Sequence, residues 1–159
     1  MANIWLTSDT HFGHNNIIKY CNRPFSSTDE MDWHIVEKWN ETIKPQDHVY
    51  HLGDVYMGQT RGYMDNLLSK LNGKKRLILG NHDNGKDQLL LKHFEKVMLW
   101  RNFEKVILTH VPLREDSIPG GNRINVHGHI HDKKSPGGPY KCVCVEQTDY
   151  TPINLEEIN

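Results

Sequence analysis

The chain has 159 residues, of which 36% are hydrophobic, and its formal net charge is −1. This length and composition are typical of one domain of ordinary size, and we expect a single domain over residues 1–159. The near-neutral charge excludes the extended basic surface of a protein that wraps nucleic acid, so no long nucleic-acid footprint is expected. No apolar stretch approaches transmembrane length, and residues 1–6 lack the features of a signal peptide, so we expect a cytoplasmic protein without a membrane partner.

Apolar runs and turn signals predict helices alternating with strands early in the chain, and mainly strands later. Helices are predicted from the N-cap residues at 27–29 to about residue 42, at 60–71 and at 86–93. Strands are predicted at 3–7, 48–52, 76–79, 96–99, 105–109, 124–127 and 141–145. This order predicts a layered α/β arrangement with a mixed sheet or two packed sheets.

Five short clusters of polar residues follow the predicted strands. They are Asp9-Thr10-His11, Gly53-Asp54, Gly80-Asn81-His82-Asp83, Thr109-His110 and His127-Gly128-His129-Ile130-His131. Each would emerge at a strand end, which is where open α/β sheets build their sites. The sequence therefore predicts that the five clusters converge.

The clusters supply side chains that divalent transition metals prefer as ligands, namely carboxylate oxygens and imidazole nitrogens. The seven candidate ligands are Asp9, His11, Asp54, Asn81, His110, His129 and His131. Seven donors suffice for two ions about 3.5–4 Å apart, as in two-metal phosphatases and nucleases. Asp54 has two oxygens and suits a bridging position, whereas a calcium site would want more oxygens and fewer imidazoles.

The charge of such a centre favours phosphate chemistry. Two divalent ions bring four positive charges, and Asp9 and Asp54 return only two negative ones. The remaining positive charge would attract a phosphate and lower the pKa of a bound water, which supplies hydroxide as nucleophile.

The order Asp-x-His, Gly-Asp, Gly-Asn-His-Asp, His, Gly-His-x-His resembles the calcineurin-like metallophosphoesterase superfamily. The residues from Asp9 to His14 and from Tyr20 to Phe25 resemble the small phosphoesterases of bacteria and phages. The resemblance implies a four-layer α/β/β/α sandwich of the metallo-dependent phosphatase type. It also implies two divalent ions, with manganese expected and iron, zinc or nickel as alternatives.

The resemblance further implies a role for each residue. One ion would be held by Asp9, His11, Asp54 and His131, and the other by Asp54, Asn81, His110 and His129. His82 would be a catalytic histidine that binds no metal, contacts the scissile phosphate and helps the leaving group depart.

Substrate-binding residues are predicted beside the first two ligands. Arg23 stands between Asn22 and Pro24 in a stiff loop, and a guanidinium suits two-pronged binding of phosphate. The alternative for Arg23 is a solvated side chain that only fixes this loop. His14 and Asn15 are also predicted to face the substrate. Four other histidines, at positions 34, 48, 51 and 93, are interpreted as ordinary core or surface residues, and His127 as a support for the site.

The expected function is hydrolysis of phosphomonoesters or phosphodiesters by metal-bound hydroxide, with a small or cyclic nucleotide among the candidate substrates. A nuclease or a protein phosphatase of the same superfamily is one alternative, and a non-catalytic scaffold with the same fold is another. A scaffold usually has eroded ligands, whereas here every metal position and His82 are present. In many members of this superfamily an acidic residue and an arginine follow the Gly-Asp motif. In this chain residues 55–58 are Val-Tyr-Met-Gly instead, so the resemblance does not identify the substrate.

Overall fold

Two β-sheets stack against each other in the computed structural model, which describes residues 2–120 and 122–158. Residues 1, 121 and 159 of the predicted domain lie outside these ranges. The strands are β1 (Ile4–Thr7), β2 (His48–His51), β3 (Lys74–Ile78), β4 (Lys96–Met98), β5 (Arg101–Asn102), β6 (Val106–Thr109), β7 (Ile124–His127), β8 (Tyr140–Cys142) and β9 (Ile153–Asn154). The helices are α1 (Asn15–Tyr20), α2 (Thr28–Thr42), α3 (Arg61–Ser69) and α4 (Gln88–His93).

The first sheet has the strand order β4-β3-β2-β1-β9. Strands β1 to β4 are parallel neighbours, with Thr7 opposite His51 and His51 opposite Leu77, and β9 pairs antiparallel with β1. Because the four strands run in one direction, their carboxyl ends reach the same edge of the sheet.

The helices bury one face of this sheet. Trp39, Met31 and Leu67 are fully buried in one apolar cluster with Leu77 of β3. The predicted helix after residue 27 is confirmed, and the Ser27 side chain caps it by accepting from the Glu30 backbone N–H. Residues 15–20, interpreted from sequence largely as loop, form the short helix α1.

The second sheet has the order β5-β6-β7-β8 and packs on the other face of the first. The core between the sheets is apolar and fully shielded. Its buried members are Leu6, Tyr50, Leu52, Ile78, Val106, Leu108, Val126 and Val143. The predicted α/β sandwich class is confirmed. Beside the outer face of the second sheet, the described chain has the loop of residues 110–119, which contains a single 3₁₀ turn at Glu115–Ser117.

The longest helix, α2, has 15 residues. Within residues 2–120 and 122–158, no helix has the length and apolar character required to span a bilayer.

Candidate metal centre

The loops that follow β1, β2, β3, β6 and β7 meet at one edge of the stacked sheets. They carry the seven predicted ligands, and the structure brings all seven together. The first sheet contributes Asp9, His11, Asp54 and Asn81, and the second contributes His110, His129 and His131. The two sheets therefore build the cluster jointly.

A first group of donor atoms surrounds Asp9 Oδ1. The Nε2 atoms of His11 and His131 each lie 3.7 Å from this oxygen. His11 Nε2 is also 3.6 Å from Asp54 Oδ2. Donors bound to one ion at about 2.1 Å are about 3.0–3.5 Å apart, so a small inward movement would let these four atoms share a cation.

A second group surrounds Asn81 Oδ1. His110 Nε2 lies 2.8 Å and His129 Nδ1 3.2 Å from this oxygen. His110 Nε2 is also 3.4 Å from Asp54 Oδ2. Two imidazoles, an amide oxygen and a carboxylate thus converge as a second potential set of ligands.

Asp54 connects the two groups through one oxygen. Its Oδ1 accepts a hydrogen bond of 2.9 Å from the backbone N–H of His82, which fixes the carboxylate. Its Oδ2 is left between His11 Nε2 and His110 Nε2, at 3.6 and 3.4 Å. This placement supports the sequence-based expectation that Asp54 bridges.

Two atoms of the cluster are buried polar groups without a hydrogen-bond partner among the described residues, namely Asp9 Oδ1 and His11 Nε2. Buried polar atoms are normally paired, because an unpaired one costs the free energy of its lost hydration. Both atoms belong to the first donor group, so a cation there would supply the missing partner. These two unpaired buried atoms show that the residues of the first donor group fit a metal ion.

Contacts behind the imidazoles orient them for metal binding. His110 Nδ1 lies 2.7 Å from the carbonyl oxygen of Leu52, and His131 Nδ1 lies 2.9 Å from Glu146 Oε2. Since a carbonyl or carboxylate can only accept, each Nδ1 carries a proton, which leaves Nε2 as the nitrogen that a metal ion could take by displacing a proton. Glu146 was missed by the sequence analysis, because it stands outside every motif and 15 residues beyond His131.

The structure corrects the expectation for Arg23. Its side chain is 0% exposed and lies behind the ligands, not in front of them. It donates to the backbone oxygens of Asp9 at 2.7 Å and Thr10 at 2.8 Å, and to Glu146 Oε2 at 2.8 and 3.0 Å. A guanidinium with these partners fixes the ligand loop, as the alternative had it, but it does so as a buried side chain and not as a solvated one.

The backbone at the ligands is in an uncommon conformation. Asp9, His11, Asp54, His129 and His131 all have positive φ, between 50 and 75°. Side chains other than glycine pay about 1–3 kcal/mol for sparsely populated backbone regions, and such residues concentrate at functional sites. Five strained residues in one cluster of seven ligands indicate that the loops are shaped for the site.

Close packing of the loops explains two glycines of the motifs. A methyl group at Gly128 would collide with Ser8 Oγ and Asp9 Oδ2, and one at Gly80 would collide with the Asp54 carboxylate. Glycine is needed at Gly128 because a loop of the second sheet touches the first there, and at Gly80 because this loop touches the neighbouring loop of the same sheet.

The electrostatics of the cluster favour a cation. Burial would raise the pKa of Asp9, but the His11 hydrogen bond and the charge of His110 lower it to about 2. Burial likewise opposes ionisation of Asp54, whose pKa is nevertheless held far below its usual range by His11 and His110. Burial lowers the pKa of His110, and the carboxylates of Asp54 and Asp9 outweigh it and raise that pKa to about 9. The carboxylates are therefore anionic and draw positive charge into the cluster, either as protons or as metal ions.

The remaining predicted residues lie at the mouth of the site or beside it. His82 is exposed, and its ring packs edge-on against His11 with centroids 5.8 Å apart. His14 stacks on His11, with Nδ1 atoms 3.1 Å apart, so it orients a ligand. Asn15 is the exposed first residue of α1. His127 is buried and bonded to Ser135 Oγ at 2.9 Å, in agreement with a supporting role.

Comparisons with known proteins identify relatives over nearly the whole chain. The family described as Calcineurin-like phosphoesterase matches residues 2–158. An uncharacterized protein of Methanocaldococcus jannaschii is 35% identical over 166 residues, which covers 99% of this chain and 90% of that protein. The Gene 66 protein of Mycobacterium phage L5 is 34% identical over 163 residues, which covers 82% of this chain and 78% of the phage protein. The crystal structure of a protein of unknown function from Aquifex aeolicus superposes with a TM-score of 0.78 at 27% identity, covering 99% of this chain and 98% of that one.

Proposed function

This chain belongs to the calcineurin-like phosphoesterase family, and we propose that it hydrolyses phosphoesters of small molecules at a centre of two divalent metal ions. The observation that carries the proposal is the position of Asp54 Oδ2 between two groups of donors, 3.6 Å from His11 Nε2 and 3.4 Å from His110 Nε2. A shared carboxylate oxygen is how two ions are held at the short separation that phosphoester hydrolysis uses.

In this proposal Asp54 would be a ligand of both ions. Asp9, His11 and His131 would complete the ligands of the first ion, and Asn81, His110 and His129 those of the second. When bound, two such ions would polarise the phosphoryl oxygens and lower the pKa of a water molecule. Manganese is the proposed metal, with iron, zinc or nickel as alternatives, because the set mixes imidazoles with oxygens.

His82 is proposed to act on the leaving group. Its backbone N–H is anchored on Asp54 Oδ1, while its ring is exposed at the mouth of the site beside His11. An imidazole at this position would donate a proton to the departing oxygen of a phosphoester bound at the centre. Asn15, the exposed residue that follows His14, is proposed to contact the rest of the substrate.

The chemical class of the substrate is proposed to be a small phosphomonoester or phosphodiester, and the location the cytoplasm. The net charge of −1 gives no support to a long nucleic-acid substrate. The complete ligand set and His82 argue against a non-catalytic scaffold.

The test combines metal content with hydrolysis. Protein stripped with a chelator and reloaded with manganese should contain about two ions per chain by elemental analysis. It should hydrolyse 4-nitrophenyl phosphate or its bis-ester, and lose activity again when the chelator returns. One ion or none after reloading, or no hydrolysis of either ester by the loaded protein, would contradict the proposal.

The role of His82 has its own test. His82→Ala should retain both ions and lose roughly 10²–10⁴-fold in kcat for an alkyl phosphate, the usual contribution of a positioned acid. The loss should be smaller for 4-nitrophenyl phosphate, whose leaving group needs little protonation. Equal losses for the two esters would show that His82 stabilises charge on the phosphate instead. His93→Ala, on α4, is the matched control and should leave both rates unchanged.

A further inference from the structure

An apolar groove of about 730 Å³ opens directly from the metal centre. It starts at Asn81 and His110, which belong to the second donor group, and continues over Trp100, Leu113 and Ile107. The groove therefore borders the second donor group and shares two of its residues.

Exposed apolar side chains concentrate at this groove. Leu99 is 72% exposed, Trp100 56% and Val111 49%, and all three line it. Leu99 and Trp100 form the crossing between β4 of the first sheet and β5 of the second, so the sheets hold them in place on both sides. Large apolar side chains left exposed together, beside a polar site, are characteristic of a ligand-binding surface.

Within residues 2–120 and 122–158, the lining of the groove offers a ligand no uncompensated charged side chain. Its ionisable lining residues in the described part of the chain are His110, which faces the donors, and Asp83. The Asp83 carboxylate accepts from the backbone N–H groups of Asp54 and Gly80 at 2.8 Å and of Val55 at 3.0 Å, so its charge is already compensated. A polyanionic tail would need lysine or arginine here, and none lines the groove among the described residues.

We propose that this groove binds an uncharged aromatic ring carried by the phosphoester, with Trp100 as the residue that determines specificity. The inference rests on the proposed function, because it places the phosphate on the metal ions and the ring in the groove. A flat ring matches the exposed indole face, while Leu99, Val111 and Leu113 supply apolar contact around it. An aryl group and a nucleobase share this chemistry.

Binding of phosphonates tests the groove without requiring turnover. In manganese-loaded protein, 2-naphthylmethylphosphonate should bind about tenfold more tightly than methylphosphonate, the scale on which apolar pockets discriminate. Trp100→Ala should abolish most of that difference. Trp33→Ala is the matched control, since this indole is 37% exposed on α2 and outside the groove, and it should preserve the difference.

Kinetics of two aryl esters separate failure of the groove from failure of the proposed function. The ratio of kcat/KM for 2-naphthyl over phenyl phosphate should be about tenfold and should approach one in Trp100→Ala. If the two phosphonates bind equally tightly and Trp100→Ala changes neither affinity, the groove does not bind a ring, even if both esters are hydrolysed. Ring-dependent affinity without any hydrolysis would support the groove and contradict the proposed function.

The same binding assay distinguishes the two sources of a ring. Adenosine 5′-monophosphate presents its base at the distance of a ribose, whereas the naphthyl compound presents its ring beside the phosphorus. If Trp100→Ala weakens the binding of either compound, the groove binds the ring. The compound whose binding is weakened more shows the distance between phosphorus and ring that the groove accepts.

Discussion

Removal of the Arg23 guanidinium should destabilise the fold, not weaken substrate binding. The side chain is fully buried and paired with Glu146, whose own side chain is 4% exposed. Arg23→Ala would leave this carboxylate buried and without its counter-charge, and would also remove hydrogen bonds to the Asp9 and Thr10 carbonyls. Breaking a buried ion pair on one side costs about 3–5 kcal/mol, which for a domain of this size lowers Tm by about 6–20 °C.

Urea unfolding of chelator-treated protein measures this free energy without a contribution from bound metal. Arg114→Ala is the matched control. Its side chain is 84% exposed and pairs with Asp116 at the surface, so its loss should change stability by less than about 0.5 kcal/mol. The double variant Arg23→Met with Glu146→Met should recover part of the loss, because it removes both buried charges.

The opposite pattern of results would refute this reasoning. If Arg23→Ala unfolds at the wild-type urea concentration and instead raises KM for every ester, the guanidinium must reach the substrate in solution. The expectation drawn from the sequence would then be restored.

Two further perturbations test the ligand set and the buried interior. Elemental analysis should find fewer than one ion per chain in Asp54→Asn and about one in Asn81→Ala, because only Asp54 belongs to both donor groups. Equal metal losses in the two variants would exclude a bridging role for Asp54. His51 is buried, and burial lowers its pKa to about 4 despite the nearby carboxylate of Asp83. An unfolded histidine binds its proton near pH 6.5, so the unfolded state takes up the proton first. The free energy of unfolding should therefore fall by about 3 kcal/mol from pH 6.5 to pH 4, and His51→Asn should flatten that slope in urea titrations. A variant with the wild-type slope would assign the pH dependence to other groups.

The sequence was sufficient for the family, the α/β class and the convergence of the seven candidate ligands, whose role as ligands stays a prediction. This worked because each polar cluster follows an apolar strand, and parallel strands in stacked sheets bring such ends to one edge. Helix α1 was missed because its apolar residues, Ile17 and Ile18, are only two and follow a polar loop. A turn and a half of helix carries too few periodic positions to be distinguished from loop.

Arg23 and Glu146 show what spacing along the chain does not reveal. They are 123 residues apart, Arg23 between the first and second motifs and Glu146 beyond the last one. A position between an asparagine and a proline beside the first ligands is compatible with a guanidinium facing either way. Only the folded chain shows that the Glu146 carboxylate, from the segment after β8, lies behind the cluster. Glu146 supports His131 and turns Arg23 inward, and Arg23 in turn supports the loop of Asp9.

The division of ligands between the sheets has a consequence for stability. The first donor group combines Asp9 and His11 of the first sheet with His131 of the second, and the second group combines Asn81 with His110 and His129. An ion in either position would therefore join loops that emerge from different sheets and that hold strained backbone at Asp9, His11, His129 and His131. Because a ligand that binds only the folded state stabilises it in proportion to the logarithm of its concentration, metal should raise the stability of the whole sandwich. Its positive charge would also relieve the repulsion between the buried carboxylates of Asp9 and Asp54, and both effects would offset the free energy that the strained backbone costs.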